Sequence, residues 1–168
     1  MAVLFSLLSI GLLTLAAWRD LVSRVIPNIL PAILLLLGVL WRLQVAGVVA
    51  AGISLALAAA LFFGLVSLHA AGLLGGGDVK LAAGFAAGLA PHTLPLFLMA
   101  TGLAGGVLAA VHLTLRLTPR RRCGVPPASL LRRVARAERW RVARHGSLPY
   151  GIAIACGGIW VILAGSGG

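Results

Sequence analysis

Long apolar stretches, broken by short polar or glycine-rich ones, run along this whole chain. At a rise of about 1.5 Å per residue, an α-helix of ~20 apolar residues crosses the ~30 Å hydrocarbon core of a membrane. The pattern therefore predicts an all-α polytopic membrane protein with about six transmembrane helices, at residues 2–18, 29–41, 45–68, 79–90, 93–117 and 147–164. The fourth segment is short for a full span and is stopped by Pro91.

The composition supports the same class. Only 10% of the 168 residues are charged and the mean hydropathy is +1.09, whereas about 25% charged residues is usual in a soluble domain. Several spans with short loops use up this length, so we expect a single domain over residues 1–168. The first apolar run is not preceded by basic residues, so we expect it to stay as a membrane anchor instead of being removed as a signal peptide.

The basic residues indicate how the chain is oriented. Most of the arginines that give the net charge of +11 lie between residues 116 and 144, with apolar segments on both sides. Cytoplasmic loops of membrane proteins carry an excess of Lys and Arg. This rule predicts an N-terminus outside and a basic cytoplasmic loop at about 118–146, with Arg42 as the exception. We expect that loop to contact anionic lipid headgroups and not nucleic acid.

Acidic residues are almost absent, and two of the three lie at the ends of apolar segments. Asp20 closes the first segment, Asp78 follows a triple glycine, and Glu138 lies in the basic loop. A carboxylate at the edge of a membrane segment is costly unless something uses or pairs it. The predicted topology places Asp20 and Asp78 on the same side of the membrane.

Two structural roles also fit these aspartates. Asp78 would cap the fourth helix, which is worth about 1 kcal/mol, and Asp20 would pair with a neighbouring arginine. A neutral Asn or Ser, however, caps a helix equally well without placing a charge at the membrane edge. We therefore favour a chemical role for the pair, although the spacing alone does not show whether the two side chains meet.

Two carboxyl groups that lie close together lose their protons at different pH values, because ionising both would place two negative charges side by side. One then acts as a general base on water while the other, protonated, polarises a carbonyl group, as in aspartic proteases. Lys80 would point away from Asp78 on a helix and is predicted to be an interfacial lysine. The histidines, among them His69, and the two cysteines show no metal-ligand spacing, so no metal or organic cofactor is expected.

Several short motifs in this order along the chain carry a family resemblance. Residues 75–81 fit the pattern GxGDxKL, Asp20 is followed by the sequence Ile-Pro-Asn at 26–28, and Pro-Tyr-Gly opens the last segment. The set resembles the type IV prepilin peptidases, which are GxGD intramembrane aspartic proteases. The resemblance implies that Asp20 and Asp78 are the catalytic pair. It also implies supporting roles for a second group of residues: Pro27, Asn28, Gly75, Gly77, Lys80, Pro149, Tyr150 and Gly151.

The resemblance implies an endopeptidase that removes the basic leader from prepilins at the cytoplasmic face of the bacterial inner membrane. Its substrate would present the leader peptide and the first apolar helix. Larger members of the family carry a cysteine-rich zinc-binding insertion and also N-methylate the new pilin N-terminus. This chain lacks the cysteines and is too short for the insertion. It is therefore similar to the small, peptidase-only TadV/CpaA-like form associated with Flp-type pili, and no methyltransferase activity is expected.

Two other functions use the same carboxylates. A small proton- or ion-coupled transporter relays protons through membrane carboxylates, but both aspartates are predicted at one face and no second acidic site lies across the membrane. A non-catalytic assembly subunit would use them only to cap and pair, and would then tolerate Asp→Asn at both positions.

Overall fold

The structure, a computed structural model, describes residues 2–117 and 149–165, without the side chains of 115–117. This part of the chain is helical and contains no strand, which confirms the all-α prediction for it. Its helices are α1 (Ala2–Ser23), α2 (Ile29–Ala70), α3 (Gly76–Ala86), a 3-10 turn (Pro91–Thr93), α4 (Leu94–Leu117) and α5 (Tyr150–Gly165). The predicted basic loop at 118–146 lies outside the described residues.

Within the described residues, three helices are long and apolar enough to cross a membrane, namely Ala2–Ser23, Ile29–Ala70 and Pro91–Thr114. They indicate a membrane protein. Helices α3 and α5, with 11 and 16 residues, are shorter than a usual span. The count of six spans and the outside N-terminus stay predictions.

Helix α2 is divided at Gly47, where φ is 79° and ψ is 178°. Only glycine adopts such a backbone conformation readily. The Arg42 guanidinium Nε donates to Ser54 Oγ at 3.1 Å, although 12 residues of straight helix would separate the two by about 18 Å. The chain therefore folds back at Gly47, and the two halves correspond to the second and third predicted segments. The predicted segments end at 41 and begin again at 45, and this break is misplaced, because helix continues through Arg42 and Gln44.

Helix α1 extends to Ser23, five residues beyond the predicted end at residue 18. Arg24 then takes a left-handed backbone with φ of 57°, and its N–H donates to the Asp20 carbonyl at 2.9 Å. This single hydrogen bond is the αL form of helix C-cap. Asp20 therefore lies in the last turns of this helix, whereas the first predicted segment ended before it, at residue 18.

Helix α3 is the buried centre of the described fold. A Cβ on Gly84 would lie 2.6 Å from the Pro31 carbonyl oxygen, and a Cβ on Gly38 would lie 2.6 Å from the Gly88 nitrogen. The small residues at 84 and 88 thus allow the tight helix contact that their spacing predicts. Gly102 and Gly106 of α4 have the same four-residue spacing, but a Cβ added at either one meets no packing neighbour among the described residues within 4 Å.

Aromatic and aliphatic side chains fill the space between the helices. The Phe85 ring of α3 lies 5.1 Å from the Phe97 ring of α4, and Leu13 of α1 and Ile154 of α5 belong to the same buried cluster. Each of these helices therefore contributes to one core. Leu81 and Phe85 hold α3 in this core, and Asp78 lies in the first turn of the same helix.

Candidate active site

Asp20 and Asp78 are both buried, each with only 6% of its surface exposed. Asp20 lies near the end of α1 and Asp78 in the first turn of α3. The carboxyl groups are close enough for the charge of Asp20 to raise the pKa of Asp78. The structure thus brings together the two residues that sequence analysis singled out, 58 positions apart in the chain.

The Asp78 carboxyl group reaches back to the beginning of its own helix. Gly75 is the N-cap of α3, so Asp78 is the third helical residue and does not have the N-cap role that was the structural alternative for it. The Gly75 backbone hydrogen-bonds the carboxyl, as an acidic residue at this position does in a capping box. The other oxygen, Oδ1, is buried and has no hydrogen-bond partner among the described residues. One carboxyl oxygen is therefore anchored while the other remains available to a ligand.

Burial changes the protonation of Asp78, which lies outside the three helices long enough to cross the membrane. The pKa of Asp78 is raised from 3.8 to about 7, mainly by desolvation and in second place by the charge of Asp20. The hydrogen bond from Gly75 and the charge of Arg24 act in the opposite direction. Near neutral pH the Asp78 carboxyl group can therefore hold a proton, as one member of an acid–base pair must.

Asp20 is held by the first turn of α5. The Gly151 N–H donates to Asp20 Oδ2 at 2.9 Å, across 131 positions of the sequence. Helix N-termini leave N–H groups without intrahelical partners and favour negative charge. A Cβ on Gly151 would lie 2.9 Å from Asp20 Oδ2 and 3.0 Å from Asp20 Cβ, so the contact depends on glycine. Pro149, which precedes this turn, is buried.

The segment after α1 lies along the beginning of α3. A Cβ on Gly77 would lie 3.1 Å from the Ile26 Cβ, and Lys80 Nζ donates to Asn28 Oδ1 at 2.9 Å. Lys80 is exposed, as an interfacial lysine is expected to be, and in addition it links two of the recognised motifs. Pro27 lies between the two contacting residues and is half-buried.

Tyr150 is the first residue of α5 and is half-buried. Its Cε1 lies 3.9 Å from the position of a Cβ on Gly105 in α4. This contact joins α4 and α5 directly beside the Gly151 N–H. The aromatic ring therefore packs between α4 and α5.

A cavity of about 420 Å³ lies between the two halves of α2 and α3, and neither Asp20 nor Asp78 is among the residues that line it. Its walls are apolar, with Leu35, Phe62 and Phe63 among them, and its polar side chains are Asn28 and Lys80. Lys80 follows Asp78 by two residues and therefore points to another face of α3, so the cavity and the Asp78 carboxyl group lie on different sides of this helix. A space of this size accommodates apolar side chains of a bound peptide.

Two further residues at the site did not stand out in the sequence. The positive charge of Arg24 acts on the Asp78 carboxyl, yet no sequence pattern marks the left-handed backbone that places it there. His69 Nδ1 lies 2.8 Å from the Leu74 carbonyl oxygen. Sequence analysis found no metal-ligand spacing for His69 and gave it no role at the site, and its position just before the glycine-rich turn was the available signal.

Within residues 2–117 and 149–165, no three His, Cys, Asp or Glu side chains lie close enough together to hold a metal ion. The sequence model of the type IV leader peptidase family matches residues 7–110, more than half of the chain, and this range contains both aspartates. The chain belongs to the type IV leader peptidase family. Comparisons with curated proteins and with solved structures found no match.

Membership of the leader peptidase family indicates a peptidase that acts on prepilins. The matched range ends before α5, so the Gly151 contact with Asp20 is an observation on this chain alone. Nothing in the comparisons supports the transporter alternative.

Proposed function

We propose that this chain is an aspartic endopeptidase that cleaves the leader peptide from Flp-type prepilins, with Asp20 and Asp78 as the catalytic pair. One observation carries the proposal: two buried carboxyl groups lie close together, and the pKa of one of them is raised to about 7. Such a pair holds one proton between two carboxyl groups near neutral pH, which is the protonation state that aspartic proteolysis requires.

The proposed reaction consumes one water molecule and breaks one peptide bond. Ionised Asp20 removes a proton from the water, whose oxygen attacks the carbonyl carbon. Protonated Asp78 donates to the carbonyl oxygen through Oδ1, the oxygen that has no partner among the described residues. When the tetrahedral intermediate collapses, the leaving amine takes up a proton from the pair, and a new carboxyl group and a new amine result.

We place this reaction at the cytoplasmic face of the bacterial inner membrane. The prepilin would present its leader peptide to the aspartates and its first apolar helix to the neighbouring helices. The basic loop at 118–146 would contact anionic lipid headgroups. These three assignments follow from the predicted topology, the position of the basic residues and the family resemblance.

Co-expression with an Flp-type prepilin tests the proposal, with leader removal scored by gel shift. Wild type, Asp20→Asn and Asp78→Asn are compared at matched membrane levels. Glu138→Gln is the control, because it makes the same acid-to-amide change at the remaining acidic residue. We expect each Asp→Asn substitution to lower the cleavage rate by about 10²–10⁴-fold, the usual contribution of a positioned acid or base, and the control to cleave normally.

Full cleavage by either Asp→Asn variant would remove that aspartate from the mechanism. Proton-coupled flux in vesicles by a wild-type protein that cleaves no prepilin would instead favour the transporter.

A further inference from the structure

The turn between α2 and α3 is built around the last residues of α2. The Gly72 N–H donates to the His69 carbonyl at 2.9 Å, and the Leu73 N–H donates to the Leu68 carbonyl at 3.0 Å. With Gly72 at φ of 74°, these bonds form a Schellman motif, which ends a helix and reverses its chain. Only two residues, Leu74 and Gly75, then remain before α3 begins.

The His69 side chain spans this turn. Its Nδ1 lies 2.8 Å from the Leu74 carbonyl oxygen. Because a carbonyl oxygen only accepts hydrogen bonds, the hydrogen of this bond resides on Nδ1. The ring also lies against Gly76, where a Cβ would be 3.4 Å from His69 Cε1 and 3.5 Å from Nε2. A single side chain thus connects the end of α2 to the first turn of α3.

The same turn determines where the Asp78 carboxyl group lies. Three glycines precede Asp78, and glycine has more conformational freedom to lose on folding than any other residue. The Asp78 and Val79 N–H groups both donate to the Gly75 carbonyl, at 3.1 and 3.2 Å. A displacement of Leu74 and Gly75 would therefore move the helix start, and the carboxyl group with it.

We propose that His69 is a positioning residue for Asp78, which it aligns with Asp20 by donating its Nδ1–H to the Leu74 carbonyl and packing against Gly76. As a claim about catalysis, this rests on the proposed function. His69 does not itself contact the reacting atoms. Its role is to limit the conformations that this glycine-rich turn can adopt.

Three substitutions at one position separate this role from a general effect on folding. Asn places an N–H group near the position of Nδ1, Gln places one nearer to Nε2, and Ala removes the donor. We expect His69→Ala to lower kcat for leader cleavage by at least about tenfold with KM unchanged. His69→Asn should recover most of the rate and His69→Gln little of it. The control is His112→Ala, because His112 Nδ1 contacts Leu108 O at 3.1 Å within its own helix.

Amide hydrogen exchange followed by mass spectrometry provides a measurement that does not depend on cleavage. Exchange at the Asp78 and Val79 amides should be faster in His69→Ala than in wild type, and unchanged in His69→Asn and His112→Ala. If wild type cleaves no leader, the proposed function fails, while the exchange rates still decide whether His69 holds the turn. Wild-type kcat in His69→Ala, equal loss in the Ala and Asn variants, or unchanged exchange in His69→Ala would each overturn the positioning role.

Discussion

The substitution Gly151→Ala tests the contact that holds Asp20. The added Cβ would lie 2.9 Å from Asp20 Oδ2 and 3.0 Å from Asp20 Cβ, so either the carboxyl group or the start of α5 must move. The hydrogen bond from the Gly151 N–H, now 2.9 Å long, would be stretched or broken. A hydrogen bond to a charged group is worth about 1.5–3 kcal/mol. At about 1.36 kcal/mol per tenfold change in rate, we expect kcat for leader cleavage to fall by roughly 10–100-fold.

The matched control is Gly102→Ala in α4. It makes the same chemical change at a position where no described atom lies within 4 Å of the new Cβ. Alanine is favoured over glycine in a helix interior by about 1 kcal/mol, so this variant should be at least as stable as wild type and cleave at the wild-type rate. Both proteins are purified in detergent, and kcat, KM and the unfolding temperature are measured. A folded Gly151→Ala protein with kcat within twofold of wild type would refute the reasoning.

Three further predictions follow from the surroundings of α3. The pKa of Asp78 is higher in the folded state than its ordinary value of 3.8, so its favourable contribution to stability is complete below pH 3.8 and is lost as pH rises through about 7. Asp78→Asn should therefore unfold at a higher temperature than wild type at pH 8 but not at pH 3.5. Arg24→Gly removes a charge that lowers the pKa of Asp78 and should move the alkaline limb of the cleavage profile to higher pH, whereas Arg24→Lys should not. Gly84→Ala would place a Cβ 2.6 Å from the Pro31 carbonyl oxygen and should destabilise by about 1–3 kcal/mol, whereas Gly64→Ala, in open space, should not.

Much of the helical pattern could be predicted from the sequence, because a membrane imposes simple requirements. Backbone polar groups in lipid must be paired within the segment, and the length of an apolar helix must match the bilayer. The predicted segments therefore agree with the observed helices within a few residues at most ends. One large difference is at α1, which continues five residues beyond its predicted end to Ser23, so that Asp20 is helical. The fold at Gly47 was misplaced because polar Arg42 and Gln44 suggested a loop, although Arg42 is satisfied within the structure by Ser54.

The two aspartates were also identifiable from the sequence alone, since an acidic residue is conspicuous in a chain with so few. Their surroundings were not. In a soluble protein the apolar face of a helix shows which side is buried, but helices in lipid are apolar on every side. Close packing of small residues decides which faces meet, as at Gly84 against Pro31. That packing, and not any local pattern, brings Gly151 to Asp20 across 131 positions and buries Asp78 beside it.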